Sequence, residues 1–260
     1  MEKQYFIGPD KLFGILYSPD ESLNKEKSVL MVHPFAEEKK SSQRILVQIS
    51  QYLSSLGYTV LLFDLSGCGD SHGNFSDISM DQWLKDISNA QNFLDEKIGV
   101  QLTNIIGVRF GAYLSLIFNQ VNGGKYNIIC IEPVFKPADY LRKSLRSKLF
   151  KELFTYGEVK SDRKSLEKQL LKDRMVDFDG FPVPGGFYNE VLELQEKFGP
   201  HSEGFTNKCK VIWIKQRNGR KDETEKEYIE RTVIMGAFWN LTDSVDPSQL
   251  IELIREFFYE

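Results

Sequence analysis

Asn104-Ile-Ile-Gly-Val-Arg-Phe-Gly-Ala-Tyr-Leu-Ser-Leu116 decides how the rest of the chain is read. A short apolar run enters Gly107-Val108-Arg109-Phe110-Gly111, and an apolar segment led by small residues leaves it. Glycines two before and two after a central residue allow a very tight strand-to-helix turn, with that residue projecting at its apex. The apex residue is Arg109, a cation at every accessible pH.

Working outward, the neighbouring segments alternate between buried strands and helices. Ser28-Val-Leu-Met-Val32, Tyr58-Thr-Val-Leu-Leu-Phe63 and Ile128-Ile-Cys-Ile131 are continuous apolar runs, as expected of strands covered on both faces. Between the first two, Ile45, Leu46, Ile49, Tyr52, Leu53 and Leu56 share one helical face, and Gly57 stops the helix. Ser79 with Gln82 makes a capping box, and the helix it starts carries Met80, Trp83, Leu84, Ile87, Ala90 and Leu94 inward. Residues 4–17 read as a strand pair turned at Gly8-Pro9-Asp10-Lys11. Strand, helix, strand, helix with buried strands means a doubly wound α/β sheet.

The rhythm breaks at Lys136. From there to Asn207 the chain reads as two helices, an irregular Gly/Pro-rich stretch around 176–187, and a further helix. Strands resume at Lys210-Val-Ile-Trp-Ile214 and Thr232-Val-Ile-Met235. A last helix is expected with Asp246 as N-cap and Pro247 as its first residue.

Totals narrow the class. The chain has 260 residues, enough for one large domain, and a net charge of −4 that gives no reason to expect nucleic acid. Cys68, Cys130 and Cys209 are scattered without CxxC spacing, which argues against a disulfide framework or zinc knuckle and suits a reducing cytoplasm. Neither a signal peptide nor a membrane-length apolar run is visible, so a cytoplasmic protein is expected. No cofactor or metal is called for.

Asp64-Leu-Ser-Gly-Cys-Gly-Asp-Ser-His-Gly73, followed by the Gly107-x-Arg109-x-Gly111 elbow, resembles the paired motifs of α/β-hydrolases. That resemblance implies a mostly parallel sheet of residues 1–135 and 208–260, with 136–207 inserted as a helical lid. It also implies a triad in the chain order nucleophile, acid, histidine. The nucleophile slot holds Arg109, which cannot attack. After the last strand comes Gly236-Ala-Phe-Trp-Asn-Leu-Thr-Asp243, without histidine, and the histidines are His33, His72 and His201. The acid could be Glu132, since Gln216-Arg-Asn-Gly219 offers no carboxylate before Asp222. With two of three roles unfilled, a serine-hydrolase mechanism is not expected.

A cation at a helix N-terminus opposes the dipole and needs an anionic partner. Glu37, Glu38 or Glu132 can supply it internally, or Arg109 can grip a carboxylate, phosphate or sulfate with helix amides adding donors. His33 is either structural or a proton partner oriented by Glu37 or Glu38. Cys68 is either a small turn residue or a nucleophile served by His33. Asp64 and Ser71 are expected to hold their loop through backbone bonds. Residues 142–174 hold eleven basic and five acidic side chains, which form either a solvated face or a surface for an anionic substrate, an acidic carrier protein or a membrane. Phe178, Phe181, Phe187 and Tyr188 either line a pocket under the insertion or pack it.

Taken together, Pro34-Phe-Ala-Glu-Glu38, Gly107-x-Arg-x-Gly-Ala112, Glu132-Pro-Val134, Gly180-Phe181 and Phe238-Trp239 resemble the α/β-hydrolase type encoded beside bacterial exosortase systems, with arginine at the elbow. The resemblance spans about 30–240. It differs at Asn240 and Glu132, where that type has glutamine. It implies a hydrolase label and an acyl or glycoconjugate substrate. The expected site therefore has Arg109 as anion or oxyanion stabiliser, Glu37 or Glu38 as base, and His33 as proton partner. Phe35, Phe110, Glu132 and Trp239 are expected to contact substrate. The ligand is expected to be a small anionic or acyl molecule, with an acyl-carrier protein or a second copy of the chain as possible partner. The alternative is a binding protein that keeps the cleft and has lost the triad.

Overall fold

The computed structural model describes residues 1–157, 162–198, 209–215, 229–241 and 245–259. Strands β1 (Glu2–Ile7) and β2 (Leu12–Tyr17) form the expected antiparallel hairpin, with Gly8 at φ 64° in its turn. Then follow β3 (Ser28–Val32), α1 (Glu37–Ser55), β4 (Thr59–Phe63), α2 (Met80–Asn92), β5 (Leu102–Val108), α3 (Phe110–Val121) and β6 (Asn127–Ile131). The insertion holds α4 (Pro137–Tyr156), α5 (Arg163–Leu171), a hairpin of β7 (Val176–Phe178) and β8 (Phe181–Val183), and α6 (Gly185–Lys197). Strands β9 (Cys209–Lys215) and β10 (Ile229–Ile234) and helix α7 (Ser248–Tyr259) complete the chain.

Eight strands make one sheet in the order β1-β2-β4-β3-β5-β6-β9-β10. Every pairing from β4 to β10 is parallel, and β2 runs against both its neighbours. All five residues of β3 and of β4 are buried, as central strands between two helical layers must be. Alternate side chains divide the core. Leu30, Leu61, Phe63 and Ile105 face α2, α3 and the insertion, whereas Met31, Val60, Leu62 and Ile106 face α1 and α7.

Three local outcomes differ from the sequence reading. Ser79 caps α2 by accepting the Gln82 amide, but the Gln82 side chain turns to Asp86 and Asp10 instead of closing the box. The stretch read as irregular is a tight hairpin turned at Asp179 and Gly180, both at positive φ, with the Asp177 carboxylate accepting the Gly180 amide. Helix α7 begins one residue late: Asp246 accepts the Ser248 amide at 3.0 Å, and Pro247 precedes the helix.

The insertion shares the core of the sheet. Leu141, Leu145, Leu170, Val183, Phe187 and Val191 are buried in the same apolar cluster as Phe63 and Trp83. Glu190 of α6 accepts the Met80 amide at 2.5 Å at the start of α2, where the helix has free donors. Gln195 does the same for Ala138 of α4 at 3.0 Å. Among the described residues, no helix is long and apolar enough to cross a membrane.

Candidate functional site

The elbow has the geometry its glycines suggest. Arg109 lies at φ 54°, ψ −117°, between β5 and α3. A Cβ on Gly107 would sit 2.5 Å from Ala112 Cα, and one on Gly111 2.4 Å from the carbonyl oxygens of Val32 and His33. Neither position can hold another residue without moving backbone. Ala36 (φ 50°) and Glu132 (φ 45°) are also at positive φ. They follow β3 and β6, the two strands that flank β5, so three strained residues lie at adjacent strand ends. Such strain costs about 1–3 kcal/mol per residue and concentrates at functional sites.

Glu38 is the partner of Arg109. The Arg109 Nε donates to Glu38 Oε2 at 3.2 Å and Nη2 to Oε1 at 3.3 Å, a bidentate pair, while Nη1 reaches the Glu132 carbonyl at 3.4 Å. The guanidinium carbon lies 4.7 Å from the Trp239 ring and 5.5 Å from the Tyr140 ring. A second donor to Glu38 is the Tyr140 hydroxyl. Burial raises the Glu38 carboxyl above the ordinary carboxylate range, and the Arg109 charge and the two donors oppose that only in part.

Glu132, the other internal candidate, turns elsewhere. Its Oε2 accepts the Ile214 amide at 2.7 Å at the end of β9, and only its carbonyl meets Arg109. Burial raises its carboxyl too, against the Ile214 amide and the Arg109 charge. Glu37, one residue before Glu38, is exposed at the start of α1.

His33 is 3% exposed and has both ring nitrogens occupied. Nδ1 lies 2.6 Å from the Pro34 carbonyl, and Nε2 accepts the Leu65 amide at 3.2 Å. The proton therefore sits on Nδ1. Burial lowers its pKa to about 4, with Asp64 opposing and Lys39 adding to the shift. No ring nitrogen is left over for a substrate, contrary to the proton-partner expectation. Lys39 pairs with Asp64 at 2.8 Å, Asp64 accepts the Asp70 amide, and Ser71 Oγ donates to the Asp64 carbonyl. Cys68 is buried, and burial pushes its thiol up to about 12, which leaves no thiolate for attack.

One flank of Arg109 is filled with aromatic side chains. Phe35 stacks on Phe187 at 5.6 Å, and Trp83 meets Phe187 edge-on at 5.0 Å. Phe110 packs against Phe35 at 5.5 Å and is 1% exposed. On the other flank opens a cleft of about 460 Å³ bordered by Glu37, Glu38, Tyr140, Asp179, Trp239 and others. Phe35 and Trp239 therefore border open space as expected, whereas Phe110 and Glu132 are not among the described residues that line it. Sequence reasoning missed Tyr140 and Asp179. Their signals were an aromatic one turn after the helix-starting Pro137, and an aspartate ahead of the Gly180 turn.

Trp239 follows β10, and its ring lies over Arg109. His201 and Asp222 lie outside the described residues. Among the described residues no group of three or more His, Cys, Asp or Glu could hold a metal ion.

Solved structures decide the architecture. Est1E from Butyrivibrio proteoclasticus, solved with ferulic acid bound, matches at a TM-score of 0.66 and 16% identity over 100% of this chain and 98% of that one. A thermostable carboxyl esterase from Bacillus coagulans matches at 0.59 and 13%, over 100% and 97%. An α/β serine hydrolase from Xanthomonas campestris, described as without a lid, matches at 0.57 and 15%, over 99% and 92%. The chain has the α/β-hydrolase fold. No family model matches it, and no curated protein does. At the turn between β5 and α3, the chain presents a cation already engaged by a carboxylate.

Proposed function

We propose that this α/β-hydrolase-fold protein holds a small molecule in the cleft beside the Arg109–Glu38 pair, without a covalent serine intermediate. The observation that carries this reading is the apex residue itself. Arg109 occupies the nucleophile turn, its guanidinium is tied to Glu38 through two nitrogens, and Trp239 lies over it where a histidine would be needed. Tyr140, Ser144, Phe178 and Asp179 of the insertion border the cleft, which supports reading 136–207 as its cover. Glu38 and Trp239, from two of the motifs shared with the exosortase-associated type, converge on Arg109, which favours that arginine-elbow kinship. His33 has a structural role in this reading.

The test is a fluorophosphonate probe together with a panel of aryl esters and thioesters. No serine should be labelled and no burst should appear. Labelling of any serine at stoichiometric yield would overturn the proposal.

A second reading has one observation in its favour: Glu38 faces the cleft with its carboxyl raised by burial, the setting of a general base for water. Turnover on the same esters that is abolished by Glu38→Gln, with the fold intact, would establish it.

A further inference from the structure

The two helices that open the insertion turn a charged surface away from the sheet. Leu141 and Leu145 of α4 are buried in the shared core, and so are Leu166 and Leu170 of α5. Helical geometry sets Lys143, Arg146, Leu153 and Phe154 within about 100° of arc opposite the first pair. It sets Lys164, Lys168 and Leu171 opposite the second. The four cations on these faces are exposed, as are Lys172 and Arg174 just after α5. Arg142 Nε donates to Glu167 at 2.6 Å from one helix to the other, so both outward faces belong to one surface.

These six cations make no ion pair among the described residues, whereas the acids around them are occupied. Arg142 engages Glu167 and Asp139, and Asp162 caps α5 by accepting the Ser165 amide. Asp173 is the described acid between 137 and 174 that remains. Residues 142–174 hold eleven basic and five acidic side chains in a chain whose net charge is −4, so the positive charge is segregated here.

Apolar side chains project among the cations. Phe154 is 94% exposed, Leu171 53%, Met175 50% and Leu153 47%. A surface built for water alone has no use for them. Phe154 lies about 18 Å along α4 from the Arg142–Glu167 contact, whereas Leu171 is one turn from it. A protein partner gathers its anchors into a compact central cluster, but a bilayer accepts apolar tips that are spread out. Cations draw such a surface to acidic headgroups over a Debye length, and the apolar tips then enter the boundary between headgroups and acyl chains.

We propose that the outward face of α4 and α5 docks on an anionic lipid bilayer, as a peripheral contact that crosses nothing. Docking of this kind goes beyond the cleft reading and is independent of what the cleft holds.

The experiment is co-sedimentation of the full-length protein with vesicles of phosphatidylcholine, and with vesicles of equal parts phosphatidylcholine and phosphatidylglycerol. The protein should pellet with the mixed vesicles and stay in solution with the neutral ones, and added salt should weaken binding about tenfold. Lys143→Glu with Lys164→Glu and Lys168→Glu should abolish pelleting, with circular dichroism unchanged because all three positions are exposed. Phe154→Ser should weaken pelleting about tenfold at every salt concentration, since apolar insertion is not screened. Equal pelleting with both vesicles, pelleting with neither, or binding unmoved in the charge-reversed triple variant would overturn the proposal. So would charge-dependent binding that Phe154→Ser leaves unchanged and soluble polyglutamate removes, the signature of an acidic protein partner.

Discussion

Glu38 and Lys39 are neighbours in the first turn of α1, yet they anchor different loops through ion pairs of opposite sense. Glu38 holds the Arg109 elbow, and Lys39 holds Asp64 in the loop after β4. The two pairs are equally sheltered, with side-chain exposures of 14–17% in one and 16% in the other. What differs is the surroundings. Lys39–Asp64 faces a cavity of about 110 Å³ walled by Phe13, Ile15 and Leu62, and Asp64 is further tied to the Asp70 amide. Arg109–Glu38 stands at the edge of a cleft four times larger, bordered by Glu37 and Asp179. Similar pairs therefore serve different ends: one closes a loop onto the scaffold, and the other forms the back wall of a space that can admit a ligand.

The largest effect expected near this turn involves neither pair. Phe187 comes from the insertion and stacks on Phe35, which lies just ahead of α1. Phe187→Ala should lower stability by about 3–5 kcal/mol through lost burial and the cavity left behind, read by denaturant unfolding. A cost below about 1 kcal/mol would mean that the insertion is not part of the core.

Next in size is the response to acid of His33, which lies close to the Lys39–Asp64 pair. Its folded pKa of about 4 is below the unfolded value of 6.5, so the unfolded state binds the extra proton between those limits. Stability from this group is thus complete above pH 6.5 and is lost as pH falls through 4, in total about 3 kcal/mol at 1.36 kcal/mol per unit. Unfolding measured across that window should show this slope, and His33→Gln should flatten it. A slope unchanged in the variant would assign the acid response to other groups.

The smallest effect bears most directly on the contrast between the pairs. Asp64→Ala and Arg109→Ala should each cost about 2–3 kcal/mol, because each leaves a sheltered charge without its partner. Only Arg109→Ala should alter small-molecule binding in the cleft, read by ligand-observed NMR, because loss of the Arg109 charge lets burial raise the Glu38 carboxyl further. Equal effects of both substitutions on binding would mean that the two pairs serve the same end.

The sheet and elbow were legible from the chain because their signals are local. Continuous apolar runs mark β3 to β6, and the spacing of Gly107 and Gly111 around Arg109 reports a turn in which added Cβ atoms collide with backbone. The partner of Arg109 was not legible. Successive helical residues point about 100° apart, so choosing between Glu37 and Glu38 requires knowing that α1 begins at Glu37. Glu132 lost the contest because its carboxylate finds the Ile214 amide, a neighbour distant in sequence. The saturation of His33 by Pro34 and Leu65 depends on a long-range contact in the same way. The basic stretch of the insertion was readable as composition, but not its internal use: Arg142 pairs with Glu167 and Asp139, and Lys148 with Asp177.

The contact between Glu190 and Met80 carries a consequence for how the cleft could be entered. A rigid swing of the insertion away from the sheet would strip the first turn of α2 of its acceptor and separate Phe187 from Phe35 and Trp83. Opening on that scale is therefore a sub-global unfolding event, in which the Met80 amide and α6 would exchange hydrogen with solvent together. Traffic into the cleft is left to smaller excursions at its rim, around Asp179 and Asn240, which leave the shared core intact.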